Sequence, residues 1–242
     1  MIPLLELRNV SKSFRGLRAL ADVSFAVETN SIVALIGPNG AGKTTLFNLV
    51  AGVLAPDSGE IEFNHRRIDT LRADQVCAAG IGRTFQIVKP FAALSVLDNV
   101  IVGALHHARN VREARLDAEH IVDQLGLSAK RDLSAATLTL PERKRLEVAR
   151  ALATRPKLLL LDEVLAGLRP TECDEMLAIL REINRRDGIT IILIEHVMRG
   201  VMALAQQVVV LHHGEVIARG TPAEIVRDPA VLESYLGEDT EL

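Results

Sequence analysis

Apolar and polar residues alternate near the start of the chain, as they do in strands that bury one face. Leu5 and Leu7 are separated by a single polar residue, and residues 23–27 show the same period of two. This alternation predicts half-buried antiparallel strands. The continuous apolar run 32–36 follows, and a run of this kind predicts a strand that is buried on both faces.

A helical pattern replaces the strand pattern in the middle of the chain. Ser95 and Asp98 have the spacing of a capping box, which marks the start of a helix. Apolar residues then recur at helical intervals, which predicts a helical insertion at about 87–150 between two halves of a sheet. The predicted helices cover 96–107, 111–125 and 141–154.

The last third of the chain returns to strands alternating with helices. The apolar runs 158–161 and 190–194 predict two more buried strands, and 208–218 predicts a hairpin. Thr171 and Asp174 are spaced to cap the helix between the two buried strands. This alternation predicts an α/β fold with a doubly wound, largely parallel sheet.

The stretch GPNGAGKTT joins the apolar run 32–36 to a predicted helix at 44–51. Glycines let such a loop direct several backbone N–H groups into one space, where the helix N-terminus adds its positive dipole end. In the GxxxxGK[ST] pattern, Lys43 reaches the β- and γ-phosphates and the hydroxyl of Thr44 binds Mg²⁺. The sequence therefore predicts a nucleoside triphosphate site formed by Gly37, Pro38, Asn39, Gly40, Ala41, Gly42, Lys43, Thr44 and Thr45.

Composition narrows the possible classes of protein. The 242 residues are 48% hydrophobic and 24% charged, as in an ordinary globular domain, and we expect residues 1–242 to form a single domain. The net charge of −3 argues against nucleic acid as a partner. No apolar run approaches the roughly 20 residues of a membrane helix. Cys77 and Cys173 offer no disulfide framework, which favours a reducing cytoplasm.

Polar side chains follow several predicted strands. Asp162 and Glu163 come directly after the run 158–161, where one carboxylate could hold a metal and the other activate water; alternatively, the pair only caps the next helix. Gln86 and His196 follow strands expected to end at the same sheet edge. Four histidines have no such placement and are interpreted as solvated: His106, His107, His212 and His213.

This combination of motifs resembles the ATP-binding subunit of an ATP-binding-cassette (ABC) transporter over nearly the whole chain. The resemblance implies a P-loop NTPase fold with a RecA-like core, an N-terminal antiparallel β subdomain and an inserted helical subdomain. It implies an ATPase that uses ATP and Mg²⁺. It also implies that Phe14 stacks on adenine and His196 contacts the γ-phosphate, that Gln86 senses Mg²⁺ and the membrane subunit, and that Asp162 and Glu163 are the metal ligand and general base.

Four stretches are similar to one branch of that family, the ATPases of branched-chain amino-acid importers: ALIGPNGAGKTTLFNLVAG, GIGRTFQ, LSVLDNVIVGA and GTPAEIVRDPAVLESYLGE. The resemblance implies a peripheral subunit on the cytoplasmic face of the inner membrane, working with permease subunits, a second ATPase and an external substrate-binding protein. The cargo would be a branched-chain or other hydrophobic amino acid. The alternative is a non-transport ABC protein that acts as an ATP-dependent regulatory switch.

One motif departs from the family pattern. In ABC dimers an LSGGQ-type motif faces the partner's nucleotide, and the matching residues here are LTLPE at 138–142, with Thr139 as the hydroxyl residue. Pro141 replaces the second glycine and has no N–H to donate to a phosphate. Thr139 and Glu142 are also spaced as a capping box. The basic residues 143–145 either compensate or form a solvated face. We therefore expect a heterodimer rather than a homodimer.

Overall fold

Residues 3–84 and 90–236 are described by a computed structural model, and within them the chain forms two sheets surrounded by helices. No helix in this part of the chain is long and apolar enough to cross a membrane. The strands are β1 (Leu5–Phe14), β2 (Leu17–Val27), β3 (Ile32–Ile36), β4 (Ser58–Phe63), β5 (Arg66–Arg67), β6 (Ile81–Arg83), β7 (Leu158–Asp162), β8 (Thr190–Ile194), β9 (Gln207–His212) and β10 (Glu215–Gly220). The helices are α1 (Lys43–Val50), α2 (Ala73–Ala79), α3 (Val96–Ala104), α4 (Val111–Gln124), α5 (Leu140–Leu152), α6 (Pro170–Asp187), α7 (Met198–Leu204), α8 (Pro222–Ile225) and α9 (Pro229–Leu236).

The larger sheet has six strands in the order β10-β9-β3-β8-β7-β6. All neighbours are parallel except β10 and β9, which form an antiparallel hairpin. Because β3, β6, β7 and β8 run in the same direction, their C-terminal ends lie along one edge of the sheet. This edge therefore carries the loop after β3, the Asp162–Glu163 pair after β7 and Glu195–His196 after β8. Gln86 lies outside the described residues.

Both faces of this sheet are buried, as the continuous apolar runs predicted. In β3, Ile32 packs with the helical side of the molecule, whereas its neighbour Val33 packs with α1 and the smaller sheet. Leu159 and Leu160 of β7 divide in the same way. Successive side chains of a strand point to opposite faces, so only an unbroken apolar run can fill both layers.

The smaller sheet is antiparallel, with strand order β2-β1-β4-β5. Leu5 and Leu7 of β1 pair with Val27 and Phe25 of β2, and all four side chains are buried on one face of the sheet. The alternating pattern of the first thirty residues thus produces the half-buried antiparallel strands that it predicted.

Helices α3, α4 and α5 lie between β6 and β7, in the segment predicted to be helical. The hydroxyl of Ser95 accepts a hydrogen bond from the backbone N–H of Asp98 at 3.0 Å, so the predicted cap of α3 is present.

The predicted cap of α6 is wrong. The helix begins at Pro170, before the predicted capping residue Thr171. The N-cap residue is Arg169, whose backbone N–H donates to the carboxylate of Glu172 at 2.8 Å. Proline has the backbone angle required at the first helical position, which places the start of α6 ahead of Thr171.

Candidate functional site

The loop between β3 and α1 depends on glycine at several points. Gly37, Gly40 and Gly42 have φ angles of 146°, 78° and 103°, in the range that favours glycine. A Cβ atom on Gly37 would lie 2.0 Å from the carbonyl oxygen of Leu211, and one on Gly42 would lie 2.5 Å from that of Ala19. The loop is therefore packed directly against β9 and β2.

Lys43, the first residue of α1, closes the loop on itself. Its ammonium group donates hydrogen bonds to the carbonyl oxygens of Gly37 at 2.6 Å and Pro38 at 2.7 Å, and the residue is buried. Among the described residues no side chain caps the start of α1, and the first turn of the helix has no acidic residue. The positive end of the helix dipole consequently faces the space in front of the loop, as in an anion-binding site.

A cavity of about 440 Å³ lies in front of the loop, a size typical of sites for small ligands. The half-exposed ring of Phe14 forms one wall, with the ammonium of Lys12 5.7 Å from the ring centroid. Glu163 and His196 lie on the cavity wall with the loop residues. The lining comprises Phe14, Leu17, Arg18, Ala19, Asn39, Gly40, Ala41, Gly42, Lys43, Thr44, Thr45, Glu163, His196 and His213.

Several predicted site residues do not line this cavity. Gly37 and Pro38 form the base of the loop, and Asp162 is buried at the end of β7. Thr139 lies at the exposed start of α5.

Asp162 is an almost fully buried carboxylate with little to balance its charge. It is 2% exposed, and neither oxygen has a hydrogen-bond partner among the described residues. The guanidinium of Arg83 lies 3.5 Å away. Burial raises the pKa of Asp162 above its ordinary value, against the opposing effect of Arg83. Carboxylate oxygens without hydrogen-bond donors fit a hard cation such as Mg²⁺.

Glu163 faces the cavity although Asp162, directly before it, is buried. The φ angle of Glu163 is 51°, an uncommon value for a residue other than glycine. Its carboxylate lies 3.0 Å from the Nε2 atom of His196, and its backbone N–H donates to the carbonyl of Ile194 at 3.0 Å. The turn after β7 thus brings a carboxylate and an imidazole together beside the phosphate loop.

A second buried cluster lies behind Glu163. The ammonium of Lys144 donates to the carbonyl oxygen of Glu163 at 2.5 Å, and burial lowers the pKa of Lys144. Glu195 is 1% exposed, and its Oε1 atom accepts a hydrogen bond from the N–H of Leu165 at 2.9 Å. Its other oxygen has no partner among the described residues, and burial raises the pKa of Glu195 to about 7.

The interpretation of residues 143–145 as a solvated face is wrong for Lys144 and incomplete for its neighbours. Lys144 is buried, and Arg145 forms an ion pair with Glu175 of α6, whereas Arg143 remains exposed. Helical geometry turns these three successive residues in different directions.

Sequence reasoning also missed part of the cavity wall. His213 is exposed, as predicted, but it lines the cavity because the next residue, Gly214, donates its N–H to the carbonyl of Ala41 at 3.1 Å. The interpretation of His107 as solvated is wrong, since it is half-buried and lies 3.3 Å from the carboxylate of Asp117.

The start of α5 has the predicted cap. The backbone N–H of Thr139 donates to the carboxylate of Glu142 at 2.9 Å, and the ammonium of Lys130 lies 2.5 Å from the same carboxylate. Pro141 lies in the first turn, where its missing N–H does not weaken the helix. Leu140 is 44% exposed at this surface.

A separate apolar groove of about 280 Å³ lies between the α2–β6 segment and helices α3 and α5. Its exposed apolar side chains are Val53, Phe91 and Val102. The guanidinium of Arg150 lies 4.8 Å from the ring centroid of Phe91, and the side-chain amide of Asn99 holds Phe91 through its backbone N–H and carbonyl.

Comparison with known proteins identifies relatives along the whole chain. The family model described as ABC transporter matches residues 20–166, and the model described as branched-chain amino acid ATP-binding cassette transporter matches residues 215–241. The high-affinity branched-chain amino acid transport ATP-binding protein BraF of Pseudomonas aeruginosa is 36% identical, over 98% of this chain and 98% of its own.

Two further comparisons concern export and fold. The lipopolysaccharide export system ATP-binding protein LptB of Acidithiobacillus ferridurans is also 36% identical, over 100% of both chains. A crystal structure of the ADP conformation of an ATP-binding cassette of an ABC transporter has a TM-score of 0.88 and 30% identity, covering 98% of this chain and 100% of that one. The resemblance and the fold class predicted from the motifs are both confirmed.

Proposed function

Because the chain belongs to the ABC transporter family and is an ATPase coupled to transport, we propose that it powers an importer of branched-chain or other hydrophobic amino acids. The observation that carries this proposal is the match of residues 215–241 to the branched-chain amino acid family. The 36% identity to BraF over nearly the full length supports it. In this proposal residues 1–242 form one ATPase domain.

ATP binds along the loop Gly37–Thr45 in the proposed complex. Backbone N–H groups and the start of α1 surround the phosphates, with Lys43 beside the β- and γ-phosphates. Phe14, whose half-exposed ring lines the same cavity, stacks on adenine. The backbone of the loop, Lys43 and Phe14 together select a nucleotide that has both a base and a triphosphate.

Mg²⁺ is the metal proposed for this site. Thr44 lines the cavity, and the buried oxygens of Asp162 lack hydrogen-bond donors among the described residues. These two residues would hold the ion together with Gln86, which lies outside the described residues. When bound, Mg²⁺ neutralises charge that develops on the phosphate oxygens.

Glu163 is the proposed general base. It takes a proton from a water molecule whose oxygen forms a bond to the γ-phosphorus, while the bond between that phosphorus and the β–γ bridging oxygen breaks. The imidazole of His196, 3.0 Å from the Glu163 carboxylate, orients that carboxylate and contacts the γ-phosphate. ADP and inorganic phosphate are the products.

The proposed partners are permease subunits, a second ATPase and an external substrate-binding protein, with no nucleic acid. The groove formed by Val53, Phe91 and Val102 offers exposed apolar side chains, and Phe91 follows Gln86 by five residues in the sequence. A cytoplasmic segment of a permease would dock there. This arrangement places the chain at the cytoplasmic face of the inner membrane.

A heterodimer is favoured over a homodimer because of the start of α5. In a head-to-tail dimer, Thr139 and its neighbours face the nucleotide of the partner, but Pro141 has no N–H to donate. A lost charge-assisted hydrogen bond is worth roughly 1.5 to 3 kcal/mol. The stronger composite site then combines Gly37–Thr45 of this chain with the motif of a different subunit.

Reconstitution tests the main proposal. The chain is purified with candidate importer permeases and a second ATPase from the same genome, and uptake of radiolabelled leucine into proteoliposomes is measured with a candidate binding protein. We expect ATP-dependent uptake that Glu163→Gln reduces at least about 100-fold without loss of ATP binding. ATP hydrolysis without uptake of any hydrophobic amino acid would contradict the proposed cargo.

The Pro141→Gly variant tests the weakened motif. Restoring a backbone N–H should raise the ATPase rate of the reconstituted complex about 10- to 100-fold and strengthen nucleotide-driven dimerisation, measured by light scattering. The matched control is Pro222→Gly, a proline in the first turn of α8. An unchanged rate would show that Pro141 is not limiting.

A second candidate is the ATPase of a lipopolysaccharide export system, because LptB is as similar as BraF over the full chain. Complex formation with export permeases, but not with importer permeases, would favour it. A non-transport regulatory switch is the third possibility, and a stable nucleotide-bound dimer that binds neither set of permeases would favour that role.

A further inference from the structure

The loop after Glu163 must hold an unfavourable backbone conformation. The φ angle of Glu163 is 51°. In a residue that carries a Cβ atom, this conformation is unfavourable by on the order of 1 kcal/mol. Such angles persist only where the surrounding contacts fix them. The peptide group before Glu163 is fixed by the bond from its N–H to Ile194, and its own carbonyl is fixed by Lys144. The contact that fixes the residues after Glu163 comes from the residue that follows β8.

Glu195 supplies that contact. Its carboxylate is buried directly after β8, and its Oε1 atom accepts the N–H of Leu165 at 2.9 Å. Leu165 is two residues beyond Glu163 and is itself 1% exposed, so no water can replace this acceptor. A buried carboxylate is costly unless it is hydrogen-bonded or paired, and none of the roles proposed above for the site uses it.

The charge of Glu195 is balanced from the same cluster. Lys144 on α5 is also buried, and its pKa is lowered by burial but raised by the attraction of Glu195 and Glu163. The loop after β7 is thus held by an ammonium at the carbonyl of Glu163 and by a carboxylate at the N–H of Leu165. Neither group lines the cavity, so neither can contact ATP in this arrangement.

We propose that Glu195 is a positioning residue for hydrolysis: its hydrogen bond to the N–H of Leu165 keeps Glu163 in the left-handed conformation that points its carboxylate into the cavity. This inference rests on the proposed role of Glu163 as the base. In this inference, the hydrogen bond of Glu195 is essential for positioning Glu163, whereas its negative charge is dispensable.

Two substitutions separate these contributions. Glu195→Gln keeps an oxygen that can accept from Leu165 and removes the charge, whereas Glu195→Asp keeps the charge and withdraws the oxygen by one methylene. We expect Glu195→Gln to retain kcat within about threefold. Glu195→Asp should lower kcat about 10- to 100-fold, because small displacements of a catalytic group have effects of this size. The Kd for ATP should change less than threefold in both.

Hydrogen exchange measures the contact itself. In Glu195→Asp, the Leu165 amide should exchange at least about tenfold faster than in the wild type, while in Glu195→Gln it stays protected. Glu182→Asp, an exposed glutamate of α6, is the control and should change neither kcat nor exchange. A kcat that falls in Glu195→Gln but not in Glu195→Asp would overturn the proposal, as would unaltered Leu165 exchange in Glu195→Asp.

A separate experiment distinguishes failure of this inference from failure of the proposed function. Glu163→Gln is assayed in parallel: full activity in that variant would remove Glu163 as the base. The exchange rate of Leu165 reports on the loop in either case. Faster exchange with normal kcat in Glu195→Asp would show that Glu195 holds the loop without positioning the catalytic group, and would also overturn the inference.

Discussion

The ends of β3 and β7 lie at the same edge of one sheet, yet their polar groups are satisfied in opposite ways. After β3, Lys43 is bonded to two carbonyl oxygens of its own loop, and Gly214 of the neighbouring hairpin donates to Ala41. At the end of β7, neither oxygen of Asp162 has a hydrogen-bond partner among the described residues, and one oxygen of Glu195, which follows the neighbouring strand β8, also lacks one.

The difference reflects what each end must do. In the proposed function, the loop after β3 binds phosphate mainly through its backbone, so the protein alone completes its shape. The Asp162 carboxylate at the end of β7 is buried without enough hydrogen-bond donors, which costs stability. Carboxylates perturbed in this way cluster at functional sites, and in the proposed function Mg²⁺ would complete Asp162. The proposal therefore treats one end as preformed and the other as completed by what binds.

The largest effect is expected when the charge of Asp162 is removed. Asp162→Asn should lower kcat/KM for ATP with Mg²⁺ about 100-fold or more, since a metal ion contributes several kcal/mol to such reactions. ATP binding without Mg²⁺ should change less than threefold, because the phosphate loop is untouched. Titration with a fluorescent ATP analogue with and without Mg²⁺ measures both. Asp132→Asn, at an exposed aspartate, is the control.

The next test disturbs the preformed end. Gly37→Ala places a Cβ atom 2.0 Å from the carbonyl oxygen of Leu211, so the loop or β9 must move. We expect the free energy of unfolding to fall by about 3 kcal/mol, measured by urea denaturation. Gly40→Ala, where no non-neighbouring atom of residues 3–84 or 90–236 lies within 4 Å of the new Cβ, should cost only about 1 kcal/mol. Equal losses in the two variants would contradict the packing argument.

The smallest test uses pH. Burial raises the pKa of Glu195 from 4.5 to about 7, so the folded protein binds this proton more tightly than the unfolded chain does. Stability therefore declines as the pH rises from about 5 to above 7, because charging Glu195 favours unfolding. The gain in the free energy of unfolding from Glu195→Gln should be about 2.5 kcal/mol larger at pH 8.5 than at pH 5. A gain that is independent of pH would contradict this account.

Much of the phosphate side could be predicted from the sequence because its signals are local. Glycine spacing, an apolar strand before it and a helix after it occur within twenty residues, and they identified Gly37–Thr45. The position of Asp162 at the end of a buried strand was predictable for the same reason. The order of the strands could not be predicted, so the hydrogen bond from Gly214 to Ala41, which brings His213 to the cavity, could not be found.

The buried charged residues could not be predicted from the sequence either. Lys144 belongs to a run of three basic residues that is typical of a solvated helix face, and Glu195 stood beside the more conspicuous His196. Both are buried because α5 and β8 converge on the loop after Glu163, which is a property of tertiary packing. The start of α6 was misplaced for a local reason, since Pro170 outweighs the capping spacing of Thr171 and Asp174.

The turn between β9 and β10 sets a limit on how this sequence can vary. A Cβ atom on Gly214 would lie 2.7 Å from the carbonyl oxygen of Ala19, and its φ angle is 81°. The same residue contacts both β2 and the phosphate loop. A saturation mutagenesis scan scored by growth should therefore find Gly214 as intolerant as Gly37 and Gly42, and an inherited substitution there should be read as a loss-of-function allele although it lies outside every nucleotide-binding motif.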